Sequence, residues 1–425
     1  MAAARFPDDF TFGVATAAYQ VEGNIDNDWT DWERAGKLKD KDARNGRGIE
    51  HWSRFESDVE LIKSLGVGAY RLSIEWARVE PKPGEFDDEV LKGYRRRLEH
   101  LRANGIRPVV TLHHFTHPRW FHEQTPWHEP SSLKSWERYA KKCAELLDGL
   151  NAAVVSINEP MVLLLGGWLS GLMPPGKNDP QLAWKVMQNF ARAHVIARRA
   201  LLDRGGPVTL GIAQHLMEFA PDRWWHPIDQ ALTRLADSHF NFALLDALTT
   251  GELVVGMPGF FAGKEKIDGG KDSMEFIGIN YYTRSHLKFM AGPPWVKFNF
   301  KDPLKRGLTD IGWEWYPEGF ARLLEQLKRF NKPVWVTENG IDDRNGSRRS
   351  RFLYEHLQQV LKARDEGVDV RAYLHWSMFD NFEWLEAWGP RFGLFHVDFG
   401  TLERTPTPTA DYYRRIVTSK ELTPP

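Results

Sequence analysis

Two glutamates stand at the ends of short apolar runs and are the first candidates for chemistry. Glu338 closes the run Val334–Thr337, and Glu159 follows the run Ala153–Asn158. Both runs are rich in the residues typical of buried parallel strands. Because an ionised carboxylate is rarely buried without partners, each glutamate needs either a cation or a catalytic role. The two lie far apart in the chain, so only a fold that gathers strand ends could bring them together.

Eight strand-like runs alternate with stretches of helical spacing, such as Phe55, Val59 and Ile62. The runs cover residues 11–16, 68–74, 107–112, 152–157, 208–213, 275–280, 333–337 and 370–375. This alternation favours parallel strands joined by right-handed crossovers. The sequence therefore predicts an α/β protein, a single catalytic (β/α)₈ (TIM) barrel domain over residues 1–425, with its active site at the carboxyl ends of the strands.

Polar side chains follow the predicted strands, as such an active site requires. They are Gln20, Glu75, His113, His114, Asn158, Glu159, Gln214, His215, Asn280, Tyr282, Glu338, Asn339 and His375. Arg71 lies within the second run, where it could point inward toward a carboxylate. Two segments rich in Gly, Lys and Pro, 256–274 and 289–312, are predicted to be loops over the barrel mouth.

Composition excludes several classes of partner. Lys and Arg number 56 against 57 Asp and Glu, so the net charge gives no basic field for nucleic acid or anionic lipid. One cysteine, Cys143, excludes an intramolecular disulfide and a cysteine-rich zinc site. No run approaches the ~18 apolar residues of a membrane span and no signal peptide is visible, so we expect a cytoplasmic protein that binds no membrane.

Two carboxylates in a neutral, aromatic-rich setting suit the cleavage of a glycosidic bond. Aromatic residues make up 13% of the chain, and their faces pack well on sugar rings. The reaction needs one carboxylate beneath the anomeric carbon and one protonated acid at the leaving oxygen. Carboxylates ~5–5.5 Å apart predict retention of configuration, and wider gaps predict inversion.

Eight segments in order closely resemble family 1 glycoside hydrolases, the β-glucosidase family. They are TFGVATAAYQVEG (11–23), YRLSIEWARVEP (70–81), TLHHFTHP (111–118), INEP (157–160), FIGINYYT (276–283), TENG (337–340), HWSMFDNFEW (375–384) and RFGLFHVDF (391–399). The resemblance implies a retaining β-glucosidase that releases terminal β-D-glucosyl units, for example from cellobiose or another small β-glycoside.

The resemblance also implies a role for each matching residue. Glu159 matches the general acid/base and Glu338 the nucleophile, whose charge should raise the pKa of Glu159 in the free enzyme. Three residues match the support around the pair: Arg71, Tyr282 and Asn280. Six match the sugar-binding set: Gln20, His114, Asn158, Trp376, Glu383 and Trp384.

The sequence departs from the family pattern at a few positions. Phe115 and Thr116 stand where many members carry Trp and Asp. Glu386 stands where members acting on 6-phosphorylated sugars are expected to carry a small hydroxyl residue, which disfavours such substrates. The loops after Gly340 and at 256–274 are short, so we expect an open aglycone side.

Alternatives in the same class are a β-galactosidase, a β-fucosidase or a β-mannosidase. Two alternatives in other classes are a barrel that binds sugar without cleaving it and a metal-dependent hydrolase. Successive strand side chains face opposite sides, so His113 and His114 cannot bind the same ion. We therefore predict no metal and no cofactor, and the sequence leaves the oligomeric state open.

Overall fold

A closed barrel of eight parallel strands forms the centre of the protein. The computed structural model describes residues 4–257, 261–292 and 295–425. In chain order the barrel strands are β1 (Thr11–Ala15), β2 (Ala69–Ser73), β3 (Arg107–His113), β4 (Ala153–Asn158), β5 (Leu210–His215), β6 (Phe276–Asn280), β7 (Val334–Asn339) and β8 (Val370–Trp376). Each pairs with the next, and β8 pairs with β1 to close the ring. The predicted barrel is confirmed, with each strand end within two residues of its predicted place.

Long helices on the outside of the barrel connect the strands. They are α1 (His51–Ser64), α2 (Asp88–Ala103), α3 (Ser132–Leu147), α4 (Pro180–Leu202), α5 (Ala243–Thr250), α6 (Pro317–Gln326), α7 (Arg349–Asp365) and α8 (Pro408–Ser419). Helix α1 shows why the sequence folds this way: Phe55, Val59 and Ile62 are buried on one face. Gly66, at φ +73°, takes the left-handed conformation that ends many helices.

Shorter elements lie in the connections that follow the carboxyl ends of the strands. The helices among them are Ala18–Val21, Asp28–Arg34, Trp76–Val79, Arg119–Gln124, Pro160–Leu164, Pro227–Ala236 and Trp384–Glu386, with π-helical turns at Leu165–Leu169 and Asp237–Phe242. These elements build the rim of the barrel mouth. None of the helices in the described ranges is both long and apolar enough to cross a membrane.

The two segments predicted to be loops contain strands. A hairpin pairs Glu252–Met257 with Phe261–Lys266, and a three-stranded sheet joins Glu218–Pro221, Arg284–Phe289 and Val296–Asn299. The loop predictions were wrong for these strand residues, because cross-strand pairing overrides the low strand propensity of Gly and Lys, whereas residues 267–274 and 300–307 are irregular, as predicted. Residues 258–260 and 293–294 of these segments lie outside the described residues. A 3₁₀ turn at Leu327–Phe330, a ribbon of Phe395–Val397 with Arg404–Pro406 and a terminal ribbon of Ala4–Arg5 with Glu421–Leu422 complete the assignment.

Small side chains make room inside the barrel. One buried cluster contains Ala69, Val109, Ala153, Ala213 and Ala372, whereas their strand neighbours pack in the cluster shared with the helices. Strand residues alternate between the two faces, so Arg71 lies on the same inner face as Ala69. The alanines therefore leave space for one long cation and the groups that contact it.

Candidate active site

Glu338 and Glu159 lie at the carboxyl ends of β7 and β4, on the mouth side of the barrel. Both are buried, with 3% and 8% of their surfaces exposed. Glu159 has φ +42°, a left-handed conformation that is uncommon for a non-glycine residue and is often found at functional sites. Pro160 follows at the first turn of the next helix. The backbone thus turns sharply at the carboxylate itself.

Arg71 connects the strands that carry the two carboxylates. It is fully buried, and its guanidinium donates to Glu338 Oε1, to Asn158 Oδ1 at 2.6 Å and to Thr111 Oγ1 at 3.0 Å. Charge-assisted hydrogen bonds of this kind are stronger than neutral ones. Arg71 therefore points into the barrel, as expected, and its charge faces Glu338.

Tyr282 holds the other oxygen of Glu338. Its hydroxyl donates to Glu338 Oε2 at 2.6 Å. Burial, with the charge of Glu338, raises the pKa of Tyr282 well above its usual range, so the phenol keeps its proton. Both oxygens of Glu338 thus accept from fixed donors, which fixes the orientation of the carboxylate plane.

Asn280 links Glu159 to the same network. Its Nδ2 donates to Glu159 Oε1 at 2.8 Å and to Asn158 Oδ1 at 3.1 Å. Thr337 Oγ1 donates to Asn280 Oδ1 at 2.7 Å, which orients the amide with its nitrogen toward the carboxylate. A continuous set of hydrogen bonds therefore runs from Glu338 through Arg71, Asn158 and Asn280 to Glu159.

The two carboxyl groups titrate as an interacting pair. The pKa of Glu338 is raised to about 7, mainly by burial; the charge of Arg71 opposes this rise and the charge of Glu159 adds to it. Two carboxylates that repel each other in a buried site share one proton over part of the pH range. The site thus combines a negative charge and an available proton.

The pKa of Glu159 is shifted downward overall. Burial raises it, but the charge and hydrogen bond of His215, together with the hydrogen bond from Asn280, lower the pKa below its ordinary value. The sequence-based expectation of a raised pKa is therefore wrong for the free protein. The reason is His215, whose Nδ1 lies 3.1 Å from Glu159 Oε1.

The residues matched to sugar binding gather beside the pair. The rings of Trp376 and Trp384 each lie about parallel to that of His114, with centroids 6.0 Å away. Trp376 Nε1 donates to Glu383 Oε1 at 3.2 Å. Asn158 Nδ2 donates to His114 Nε2 at 3.1 Å, joining this group to the carboxylate network.

Two buried polar atoms here have no hydrogen-bond partner among the described residues. They are Gln20 Oε1 and His114 Nδ1. Gln20 is held by donating its Nε2 to Asn381 Oδ1 at 2.9 Å and to the Phe382 carbonyl at 2.8 Å. Leaving a buried acceptor and donor unpaired costs free energy, so both atoms are available for the hydroxyl groups of a sugar.

Some predicted polar residues do not join the pair. Glu75 accepts from Thr116 Oγ1 at 2.8 Å and caps the next short helix, and His375 is buried with its pKa lowered to about 3 by burial. Gln214 donates to the Phe240 carbonyl at 2.7 Å. Glu386 forms an ion pair with Lys39.

Sequence reasoning gave no role to three residues that matter here: His215, Thr337 and Asn381. Each contacts a residue that the sequence did identify: His215 contacts Glu159, Thr337 contacts Asn280, and Asn381 contacts Gln20. His215 ends β5 directly beside β4, so the adjacency of the two strands was the signal that could have paired it with Glu159.

One cluster has the donor set of a metal site. Ligand atoms of Asp28, His117 and His122 lie within 4.8 Å of one another. His113 Nε2 lies 3.5 Å from His117 Nδ1, whereas the His114 ring faces the two tryptophans. The adjacent histidines at the end of β3 therefore do face opposite sides, and the cluster contains neither Glu159 nor Glu338.

Comparisons with known proteins agree with this arrangement. The sequence model described as "Glycosyl hydrolase family 1" matches residues 2–422. "Beta-glucosidase A" of Thermotoga maritima is 30% identical over 98% of this chain and 99% of its own. "Beta-galactosidase" of Pyrococcus woesei is 29% identical over 98% of each.

Solved structures show the same fold. A beta-glycosidase from Pyrococcus horikoshii has a TM-score of 0.91 and 37% identity, covering 99% of this chain and 96% of that one. The beta-glucosidase from Thermotoga maritima in complex with deoxynojirimycin has a TM-score of 0.88 and 28% identity, covering 99% and 100%. The chain therefore belongs to glycosyl hydrolase family 1 and is a β-glycosidase with the (β/α)₈ fold.

Proposed function

We propose that the protein is a retaining β-glucosidase in which Glu338 is the nucleophile and Glu159 the general acid/base. The observation that carries the proposal is the unequal support of the two carboxylates. Glu338 is held by Arg71 and Tyr282, whereas Glu159 is held by Asn280 and His215. The donors to Glu338 reach both of its oxygens and hold the carboxylate in one orientation for attack, whereas the contacts of Asn280 and His215 with Glu159 both reach Oε1.

In the first step Glu338 attacks the anomeric carbon while Glu159 protonates the leaving oxygen. The reactive form of the pair is the singly protonated one. Positive charge develops on the sugar as the bond breaks, and it favours an ionised Glu338 with the proton on Glu159. In this proposal Asn158 binds the sugar 2-hydroxyl; its hydrogen bonds with Arg71 and Asn280 support the role because they fix its amide.

In the second step water releases the sugar from the covalent intermediate. Glu159 is ionised after it has protonated the leaving group, and esterification removes the charge of Glu338 that favoured its protonated form, so Glu159 can accept a proton from water as the water attacks the anomeric carbon. Tyr282 and Arg71 then take up the carboxylate that is regenerated. Neither step draws on a metal or a cofactor, and the substrate is a neutral β-glycoside or oligosaccharide.

The glycone preference for glucose is part of the proposal. Gln20 Oε1 and His114 Nδ1 offer one acceptor and one donor, with Glu383 beside the stacking surface of Trp376. A β-galactosidase is the second candidate, because one relative carries that name at 29% identity. Initial rates on nitrophenyl β-glucoside, β-galactoside, β-fucoside and β-mannoside separate the candidates.

Replacing the proposed nucleophile should abolish turnover. Glu338→Gln keeps the shape and one hydrogen-bond acceptor but removes the attacking charge, so kcat on nitrophenyl β-glucoside should fall by about 10⁴-fold or more. Glu275→Gln is the matched control, because Glu275 is also paired with an arginine, Arg198, but precedes β6 at the opposite end of the barrel. Its activity should stay within about twofold. More than a trace of turnover in Glu338→Gln would contradict the assignment.

Replacing Glu159, the proposed acid, should lower kcat/KM most for substrates whose leaving group must be protonated. Glu159→Gln should lower kcat/KM on alkyl β-glucosides by about 10²–10⁴-fold and on dinitrophenyl β-glucoside by far less. Added azide should restore turnover and yield a β-glycosyl azide, because deglycosylation then needs no base. Equal losses on both substrates would show that Glu159 is not the acid.

The pH profile should report the charge on His215. Below the acidic limb both carboxyls are protonated and Glu338 cannot attack; above the basic limb, near pH 7 from the pKa of Glu338, no proton remains to donate. Because His215 lowers the pKa of Glu159, His215→Gln should raise that pKa and move the acidic limb of kcat/KM to higher pH. His100→Gln, on α2 outside the barrel, should leave the limb in place. An unmoved limb in His215→Gln would contradict the role of its charge.

A further inference from the structure

Three potential metal ligands converge at the barrel mouth. Asp28 lies in the connection after β1, whereas His117 and His122 lie in the connection after β3. One ligand atom from each of the three lies within 4.8 Å of the other two. The prediction that the protein binds no metal rested on His113 and His114, neither of which belongs to this group. The fold thus brings together a set of donors that the strand pattern did not indicate.

One oxygen of the Asp28 carboxylate is buried without a hydrogen bond. Asp28 is 4% exposed, and its Oδ2 has no hydrogen-bond partner among the described residues. His117 Nε2 lies 3.5 Å from this oxygen. Burial lowers the pKa of His117, so its ring has the neutral form that binds metal. Because a buried carboxylate oxygen left unpaired costs free energy, a cation between Oδ2 and Nε2 would be stabilising.

Backbone hydrogen bonds hold the ligands of the two connections together. The backbone N–H of His117 donates to Asp28 Oδ1 at 3.0 Å, and the backbone N–H of Asp28 donates to the His117 carbonyl at 3.2 Å. On the other side of the His117 ring, Nδ1 lies 3.5 Å from His113 Nε2. A contact of the second ring nitrogen commonly orients a histidine ligand. The site is therefore largely formed before an ion binds.

The donor set favours zinc over calcium or magnesium. Two imidazoles and a carboxylate are typical zinc ligands, whereas calcium and magnesium prefer oxygen ligands alone. Ligand atoms about 2.0–2.1 Å from a tetrahedral zinc ion lie roughly 3.3 Å from one another, close to the 3.5 Å between Asp28 Oδ2 and His117 Nε2. His122 is half-buried, so its side chain has room to move toward the ion, and water can take the fourth position.

The segments that carry these ligands also support Trp384, one of the residues matched to sugar binding. Trp29 follows Asp28 directly, and its ring centroid lies 4.8 Å from that of Trp384. Phe115 precedes His117 by two residues, and its ring centroid lies 4.9 Å from that of Trp384. An ion that joins the two connections therefore fixes both of the aromatic side chains that pack against Trp384.

We propose that Asp28, His117 and His122 bind one Zn²⁺ ion that ties the connections after β1 and β3 together. The ion is structural. It takes no part in cleavage of the glycosidic bond, because none of its ligands is a member of the carboxylate pair. Binding of the ion does not depend on the roles proposed for that pair, so the two proposals stand or fall separately.

The test begins with the metal-binding properties of the native protein, prepared without a histidine tag. After treatment with a chelator and removal of the chelator, titration with Zn²⁺ should show one tight site per chain, for which Mg²⁺ and Ca²⁺ do not compete. Co²⁺ bound in place of zinc should give the strong visible absorption of a four-coordinate ion. Zinc at about 100 times its Kd should raise Tm by roughly 3 °C, because the ion binds the folded state.

Two substitutions each remove one ligand. His122→Ala removes a half-buried side chain, and Asp28→Asn removes the charge but keeps an acceptor for the His117 N–H. Each should weaken zinc binding by about 100-fold or more and abolish the rise in Tm. His100→Ala is the matched control, because His100 is a half-buried histidine on α2 outside this group, and it should keep both properties. Circular dichroism verifies the fold, and His122→Ala decides alone if Asp28→Asn is unfolded.

The outcomes distinguish this inference from the proposed function. A native protein that binds no stoichiometric zinc would overturn the inference, as would tight binding that both ligand variants retain, because the ion would then lie elsewhere. Preference for Mg²⁺ or Ca²⁺ over Zn²⁺ would also overturn it. The kcat on nitrophenyl β-glucoside should be unchanged in the zinc-free protein, and a kcat lost with zinc and restored by it would contradict the structural role. Absence of turnover by the zinc-loaded native protein on every β-glycoside would instead overturn the proposed function.

Discussion

The buried guanidinium of Arg71 is the constraint on which the site depends. A cation without exposed surface must be surrounded by acceptors, because an uncompensated buried charge costs several kcal/mol or more. Its acceptors come from β3, β4 and β7: Thr111, Asn158 and Glu338. The closed barrel, with its small inner residues, presents these three strands to one side chain. The same contacts that satisfy Arg71 therefore fix the proposed nucleophile and the amide beside the proposed acid.

The two carboxylates differ because their surroundings differ. Glu338 has a permanent cation and a phenol as partners, whereas Glu159 has an amide and an imidazole. His215 lowers the pKa of Glu159, whereas Arg71 acts against the raised pKa of Glu338. Two acids of the same type can then perform two roles in one cleft.

Much of the fold and most of the site could be predicted from the sequence. The barrel strands have a strong apolar pattern with polar residues at their ends, so the positions of Glu159, Glu338 and Arg71 followed from the topology. The direction of the pKa shift of Glu159 could not be predicted, because it depends on a contact with His215 between neighbouring strands. The hairpin after α5 was also missed, since pairing of short polar strands leaves no periodic signal.

The central claim is that Glu338, held by Arg71, forms a covalent bond to the sugar. In 2-deoxy-2-fluoro-β-D-glucosyl fluoride the fluorine at C2 slows both formation and hydrolysis of the covalent intermediate. The good leaving group speeds formation, so the intermediate accumulates on incubation with the protein. Mass spectrometry of the intact protein and of its peptic peptides then locates the added sugar. The account predicts one fluoroglucosyl group per chain, on the peptide containing Glu338. A label on another residue, or inactivation without a covalent adduct, would contradict it.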